Sequence, residues 1–212
     1  MKHLLLLLTV ALLAVTTLAQ PATNDSKTTK VTTAADRPVF EKIKTGKGMV
    51  VVSNEPGNSF SIEIKGKKVG TLPGGPLRFQ VDGKYLEIML QDKAPFITAA
   101  NKSGLTDIEI LEWHRQWYSD QIEKTFGAKL NVESLPLKLF GDKDVLKWSF
   151  PMPPEAGYKN LKRQAYLSIV KGDQILMLNS AWTTEIVEYK EVSQLLWDTM
   201  RSLKLSEKPI GN

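Results

Sequence analysis

The sequence contains no cysteine, and this absence excludes several kinds of site at once. Disulfide bonds, thiolate nucleophiles and cysteine-based zinc sites all need that side chain. A lipid anchor of the bacterial lipoprotein type also needs a cysteine, so we expect none here. The fold must therefore be stabilised by a packed core without covalent cross-links.

Histidine is almost as scarce, since the chain contains only His3 and His114. Neither belongs to a His-x-x-x-His or Glu-x-x-His spacing, so we predict no metal and no other cofactor. A pair of carboxylates among the 23 acidic residues remains possible, because sequence does not show which acids meet in space. A Ser–Lys dyad also stays open, although no motif nominates one. We predict a protein that is not an enzyme, with a carboxylate-pair hydrolase as an alternative.

Long apolar runs are confined to the N-terminus. Residues 4–15 are apolar and follow a short polar start, and residues 17–19 form a small-x-small cleavage motif. This pattern predicts a signal peptide over residues 1–19 with cleavage between Ala19 and Gln20. The run is too short for a transmembrane helix, which needs about 20 apolar residues. We therefore predict an exported protein, periplasmic or secreted, with no transmembrane span in the mature chain.

Positive charge is in mild excess, with a formal net charge of +5. That excess is far below that of a nucleic-acid-binding tail, and together with export it predicts no nucleic-acid partner. Six lysines nevertheless form two local clusters, which are Lys42, Lys44 and Lys47, and then Lys65, Lys67 and Lys68. Such clusters attract lipid headgroups or acidic glycans through a screened field. A solvated hairpin turn is the simpler interpretation, because hairpin tips are commonly charged.

The composition changes at residue 38. Residues 20–37 are rich in threonine and alanine and lack large aromatic side chains, which predicts a disordered tether. Residues 38–206 are predicted to form one domain, followed by a C-terminal tail at 207–212. Glycosylation sequons occur at residues 24–26 and 101–103, and they matter only in a eukaryotic secretory pathway.

Short apolar runs between turn residues predict a series of strands in the domain. An Asp82-Gly83 pair between two apolar runs predicts a two-residue hairpin, because both turn positions favour positive φ. Alternation over residues 85–90 predicts a strand with one better-buried face. Further strands are predicted at 49–52, 60–64, 130–140, 145–150, 164–170 and 175–182.

A helix is predicted from Asp107 to Phe126. Thr106 and Glu109 have the spacing of a capping box, and Gly127 is a natural stop. Within it, the stretch EWHRQWYSD contains His114, which lies in the middle of the apolar arc together with Gln121. Trp113 extends this arc, and Ser119 lies on the polar face. We predict a buried, neutral histidine that is hydrogen-bonded by a neighbour. A pocket at His114 and Gln121 is the alternative.

The C-terminal region predicts a second amphipathic helix. Its apolar stripe consists of Tyr189, Val192, Leu196, Met200 and Leu203. The polar face opposite consists of Lys190, Gln194, Asp198 and Arg201. Trp197 lies off this stripe, at its polar edge. A large ring in that position covers the rim of the core or forms an exposed contact.

Residues 163–205 combine a strand, a Gly-Asp turn, a second apolar strand and a closing helix that ends Ser-Leu-Lys-Leu. This order resembles the PsbP-like superfamily, which includes bacterial envelope proteins of the DcrB-like kind. The resemblance implies an α+β fold, in which amphipathic helices pack on the faces of an antiparallel sheet as an α/β/α sandwich. It also implies a role in binding or assembly, and it supplies no functional residues.

Together these observations predict an exported, non-enzymatic accessory protein of the cell envelope that acts through protein–protein contacts. The alternative is a protein that binds an anionic envelope surface through its lysine clusters. The residues expected to contact a partner or an anion are Lys65, Lys67, Lys68 and Trp197.

Overall fold

The computed structural model describes residues 40–55, 57–99, 104–185 and 188–210. The predicted signal peptide, its cleavage site between Ala19 and Gln20, the tether and both sequons lie outside these ranges. They stay predictions.

The described residues form eleven strands and three α-helices. The helices are α1 (Ala94–Ala99), α2 (Asp107–Phe126) and α3 (Tyr189–Arg201). The strands are β1 (Phe40–Thr45), β2 (Gly48–Ser53), β3 (Ser59–Lys65), β4 (Val69–Thr71), β5 (Arg78–Val81), β6 (Lys84–Asp92), β7 (Glu133–Lys138), β8 (Asp144–Pro151), β9 (Leu161–Lys171), β10 (Gln174–Thr183) and β11 (Lys204–Ser206).

Two antiparallel sheets organise the domain. The larger has seven strands in the order β4-β5-β6-β10-β9-β8-β7, and the smaller has four in the order β1-β2-β3-β11. The last strand reaches the small sheet by pairing Leu205 with Phe60, residues from opposite ends of the domain. The α+β class with antiparallel strands is confirmed. The division into two sheets is a feature that the sequence did not reveal.

The hairpin between β5 and β6 turns at Asp82 and Gly83, as predicted. Their φ values are 48° and 84°, which is the backbone geometry that a tight two-residue hairpin requires. Gly48 at the start of β2 has a different reason to be glycine, because a Cβ there would collide with the carbonyl oxygen of Ile64. The first glycine serves the turn and the second allows two strands to approach closely.

The large sheet is covered on both faces. On β9, Leu167 and Ile169 pack with β2, β3 and α3, whereas Tyr166 and Val170 pack with α1 and α2 on the opposite face. Helices therefore lie on both sides of the sheet, and the small sheet shares one side with α3. This arrangement corresponds to the predicted α/β/α order.

The predicted difference in burial between the two faces of residues 85–90 is small in the structure. Leu86 and Ile88 are buried on the face towards α3, but Glu87 and Met89 are buried as well. The alternation predicts one better-buried face. Because layers cover both faces of the sheet, β6 has no solvated face over these residues.

Helix α2 begins and ends where the sequence predicted. The Thr106 hydroxyl accepts the N–H of Glu109, and the Glu109 carboxylate accepts the N–H of Thr106 at 2.9 Å. Gly127 ends the helix with φ of 65°. The sidedness differs from the expectation at two positions, since Ser119 is buried and Trp113 is exposed.

An aromatic cluster forms the core beneath α2. The rings of Trp148 and Tyr166 stack across β8 and β9 with centroids 3.8 Å apart and planes 7° apart. Tyr118 of α2 contacts both rings edge-on, at 5.9 and 5.8 Å. Offset stacking and edge-on contacts are the favourable geometries for aromatic rings, so this cluster locks α2 to the sheet.

One end of the domain ties the two sheets together. The ammonium of Lys171 donates to the carbonyl of Asn58, and the Asn58 amide donates to Asp173 at 2.5 Å. Burial lowers the pKa of Lys171. Beside this contact the backbone N–H of Ile210 donates to Asn54 at 2.8 Å. Part of the predicted tail is therefore bonded to the loop that follows β2.

Candidate binding sites

His114 is a residue of α2, and its side chain lies in the core next to α1. Its Nε2 is 2.6 Å from Oε1 of Gln91 on β6, and its ring packs against Phe96 and Tyr118. The side chain is 0% exposed, and burial lowers its pKa to about 3. The imidazole is therefore neutral near pH 7, with Nε2–H donating to Gln91. These observations agree with the predicted buried histidine.

Gln121 follows two turns later on the same side of α2 and is half-buried. Within the described part of the chain, Nδ1 of His114 has no hydrogen-bond partner, and no three histidine or acidic side chains lie together as metal ligands would. A pocket at His114 and Gln121 stays a prediction.

The structure brings the two lysine clusters next to each other. Gly48 pairs with Lys65 between β2 and β3, and the N–H of Gly66 donates to the carbonyl of Lys47 at 3.0 Å. The exposed lysines of this surface are Lys47, Lys65, Lys67 and Lys68. We call these four residues the lysine surface. Lys42 and Lys44 lie farther along β1, where Lys42 donates to the carbonyl of Pro76.

The loop that carries Lys67 and Lys68 is held in place by Asp82. Its carboxylate accepts the backbone N–H of Lys67 at 3.1 Å and that of Lys68 at 2.7 Å. The lysine side chains therefore project from an ordered loop. Lys65 has only a loose contact with Glu63, at 3.6 Å, so its ammonium stays largely available.

Trp197 is half-buried on α3 and packs against the core shared with the small sheet. The Arg201 guanidinium lies 5.6 Å from the centre of its ring, within the range of a cation–π contact. This placement is the rim position that the sequence offered as one of two interpretations. The other interpretation, a partner contact at Trp197, stays a prediction.

The most exposed tryptophan is Trp113, which the sequence had placed on the apolar arc. It is 41% exposed, compared with 1% for Trp148. It lies in a shallow groove of about 300 Å³ on the outer side of α2, together with Ile108, Glu109, Glu112 and Gln116. Periodicity alone did not identify this groove, because Trp113 lies near the boundary between the two faces of α2.

A second cleft, of about 420 Å³, lies between α3 and the β5–β6 hairpin on the other side of the large sheet. Lys65 of the lysine surface lines one edge of it. The other lining residues come from two separate segments, 81–84 and 190–199, so sequence spacing did not group them. The i, i+4 repeat of Lys190, Gln194 and Asp198 was the available signal, and it was interpreted as the polar face of a helix.

A buried ion pair crosses the β5–β6 hairpin. Nε of Arg78 lies 2.6 Å from Oε1 of Glu87, and the Tyr85 hydroxyl donates to the other carboxylate oxygen at 2.9 Å. Burial and the Glu87 charge raise the pKa of Tyr85, so the phenol stays protonated. Asn179 pairs directly with Glu87 on the neighbouring strand β10. The predicted Asp82-Gly83 turn already places Arg78 opposite Glu87, so the hairpin register could have revealed the pair.

Hydrogen bonds lower the pKa of two carboxyl groups on the surface. The pKa of Glu123 is lowered by hydrogen bonds from the backbone N–H of Leu130 and from the Lys129 ammonium. The pKa of Glu133 is lowered by a hydrogen bond from the Arg163 guanidinium. The general acid of a glycosidase needs a raised pKa, so neither residue fits that role. The carboxylate-pair hydrolase stays a prediction without assigned residues.

None of the helices in the described ranges has the length and apolar composition needed to cross a membrane.

Comparison with known proteins yields a likeness of fold alone. No family model matches the chain, and no curated protein matches it. Among solved structures, the chain is similar to the solution structure of cyanobacterial PsbP (CyanoP) from Synechocystis sp. PCC 6803. The two share 7% sequence identity, the match covers 85% of this chain and 98% of that one, and the TM-score is 0.41. The PsbP-like fold predicted from residues 163–205 and this similarity agree.

Proposed function

We propose that this chain is an exported, non-enzymatic accessory protein of the cell envelope that acts by contacting another protein. The observation that carries the proposal is the exposed indole of Trp113. Tryptophan offers a large apolar surface with one polar donor, and it is enriched at the centres of protein interfaces. An exposed ring that adjoins further apolar surface is a feature of protein-interaction sites.

The surroundings of Trp113 support this assignment. Ile108 adds apolar surface, while Glu109, Glu112 and Gln116 provide a polar edge. An apolar centre with a polar rim is the usual anatomy of a protein interface. Glu112 is held at 2.7 Å by Arg115, so this face of α2 is ordered before a partner arrives.

Export and an envelope location rest on the N-terminal sequence. The apolar run at 4–15 and the cleavage motif at 17–19 are the features that support them.

Site-specific crosslinking tests the protein-contact proposal. A photoreactive residue in place of Trp113 is expected to capture one reproducible envelope protein in cells. The matched control is Lys124, an exposed position near the other end of α2. The Trp113→Ser variant should then weaken binding to that protein by about 30-fold, as a central interface residue does, without lowering the thermal unfolding midpoint. Capture of the same mixture from both positions would contradict the proposal.

A second candidate function is binding to an anionic surface, and the convergence of the two lysine clusters favours it. Four lysines from two segments lie on one small area, and screened attraction to lipid headgroups or acidic glycans grows with local charge. This function would use a surface on the small sheet and its loops.

Vesicle binding tests the anionic-surface function. The chain from Gln20 should bind phosphatidylglycerol-containing vesicles at low salt and release them as salt is added. Replacing Lys65, Lys67 and Lys68 together with glutamine should abolish binding. The control changes Lys138, Lys143 and Lys159, three exposed lysines elsewhere. Equal loss in both triple variants would assign the effect to net charge and reject the lysine surface.

A further inference from the structure

The cleft beside α3 has the dimensions of a small-molecule site. Its volume is about 420 Å³, and it lies on the side of the large sheet opposite Trp113. Clefts of roughly 300–1,000 Å³ are typical of ligand pockets. Its lining residues are Lys65, Val81, Asp82, Lys84, Lys190, Glu191, Gln194, Leu195, Asp198 and Thr199.

The wall formed by the β3 end and the β5–β6 hairpin is electropositive. Lys65 and Lys84 line it together with one acid, Asp82. The Asp82 carboxylate already accepts the backbone N–H groups of Lys67 and Lys68, one on each oxygen, and two ammonium groups stand against this single carboxylate. The ammonium groups therefore dominate this wall.

The wall formed by α3 presents carboxylates. Glu191 and Asp198 lie along the helix, and Gln194 between them donates its amide to Asp198 at 2.7 Å. The lysine on this wall, Lys190, forms an ion pair with Glu188 at 2.6 Å. Its positive charge is thus matched by an acid at the start of α3. The remaining carboxylates of Glu191 and Asp198 face a wall of opposite sign.

One loose ion pair joins the two walls. The Lys84 ammonium is 3.4 Å from the Glu191 carboxylate, and both side chains are partly exposed. A charge-assisted hydrogen bond is shorter, at about 2.7–2.9 Å, so this pair does not satisfy either charge fully. A molecule with an anion at one end and a cation at the other could replace the pair with two better contacts.

The floor of the cleft contains an unpartnered hydroxyl. Val81 and Leu195 make the floor apolar, and Thr199 beside them is 1% exposed. Its Oγ1 has no hydrogen-bond partner among the described residues. An unsatisfied buried hydroxyl destabilises the folded protein. Because Oγ1 is itself buried, a ligand atom bonds to it only when the ligand displaces the side chains that cover it.

We propose that this cleft binds a small zwitterion, a molecule with a phosphate or carboxylate at one end and an ammonium group at the other. The anionic end lies between Lys65 and Lys84. The ammonium end lies at Glu191 and Asp198, and a polar atom of the ligand bonds to Thr199. This site is separate from the groove at Trp113, so the inference goes beyond the proposed protein contact.

Titration of the chain from Gln20 with phosphoethanolamine, followed by amide NMR shifts, tests the site. We expect shifts at residues 82–84 and 190–199. Inorganic phosphate and ethanolamine, the two halves of the probe, should each bind at least about tenfold more weakly, which corresponds to about 1.4 kcal/mol. Absence of shifts in these segments would overturn the proposal. Equal affinity for phosphate would also overturn it, because the α3 wall would then contribute nothing.

Three substitutions separate binding from folding. Thr199→Val removes the unpartnered hydroxyl, so it should keep or raise the unfolding midpoint. It should also weaken binding of phosphoethanolamine. Lys84→Gln should weaken the binding of both phosphate and phosphoethanolamine. Asp198→Asn should weaken the binding of phosphoethanolamine and leave the binding of phosphate unchanged. Lys138→Gln, on the distant strand β7, is the control and should change nothing. Unchanged binding in Thr199→Val and Lys84→Gln would reject the site.

The zwitterion could be free in solution or form the headgroup of a lipid. Sedimentation with phosphatidylethanolamine vesicles distinguishes the two sources. Sedimentation that Asp198→Asn abolishes identifies a headgroup as the ligand. If the free probe binds and the vesicles do not, the ligand is a soluble molecule. If Lys84→Gln and Asp198→Asn both bind vesicles as well as the unaltered chain does, the cleft is not the binding site.

Discussion

Replacing Arg78 with methionine is expected to lower the free energy of unfolding by about 3–5 kcal/mol. Arg78 and Glu87 form an ion pair at 2.6 Å with side chains only 3% and 6% exposed. Removal of the cation leaves the Glu87 carboxylate buried without a counter-charge. The Tyr85 hydroxyl still donates to it, but one neutral hydrogen bond does not replace a guanidinium.

Urea unfolding of Arg78→Met, followed by tryptophan fluorescence, measures this loss. Lys138→Met is the matched control. Lys138 pairs with Asp144 at 2.7 Å but is 60% exposed, and surface pairs contribute about 0–1 kcal/mol. A loss below about 1 kcal/mol for Arg78→Met would contradict the expected effect.

The double variant Arg78→Met with Glu87→Leu gives a second test. It removes both charges and fills the same space with apolar atoms. It should be more stable than Arg78→Met alone, because no unpaired charge remains. A double variant that is less stable than the single variant would show that the charges are not the cause.

Acidification is expected to destabilise the protein through His114. Burial lowers the pKa of this side chain from 6.5 to about 3. Between these two values the unfolded chain binds a proton that the folded chain does not. The free energy of unfolding therefore rises with pH in this window, and stability is lost as pH falls from about 6.5 towards 3. The loss between about pH 7 and pH 4.5 should be on the order of 2.5 kcal/mol.

The His114→Gln variant isolates this contribution. Glutamine does not titrate, and its amide can still bond to Gln91. Urea unfolding across the pH range should give a flatter profile for the variant than for the unaltered chain. Because the chain from Gln20 contains no other histidine, the difference between the profiles reports on His114. Parallel profiles between about pH 6.5 and pH 4.5 would disprove the assignment.

Local features were predictable wherever backbone chemistry alone specifies them. The Asp82-Gly83 turn needs two positive φ values, and both residue types permit them. The capping box at Thr106 and the stop at Gly127 depend on contacts within a few residues. The buried stripe of α3 follows from helical periodicity.

The candidate sites were predictable only in part. The sequence pointed to Lys65, and the structure places it beside Lys47 and at the edge of the cleft. It also pointed to Trp197, whereas the exposed ring belongs to Trp113. Trp113 lies near the boundary of the apolar arc of α2. Which side of such a boundary is buried depends on the layer beneath the helix.

By itself, the sequence determined helices α2 and α3, the Asp82-Gly83 hairpin and the burial of His114, and the resemblance of residues 163–205 implied the antiparallel α+β class. The helices, the hairpin and the buried histidine follow from interactions between near neighbours or from the period of apolar residues. Only the tertiary structure decided that the strands divide into two sheets, that Thr199 lies at the floor of a cleft, and that the lysine clusters meet. Those features arise from pairing between distant segments, and residue spacing along the chain does not show which segments pair.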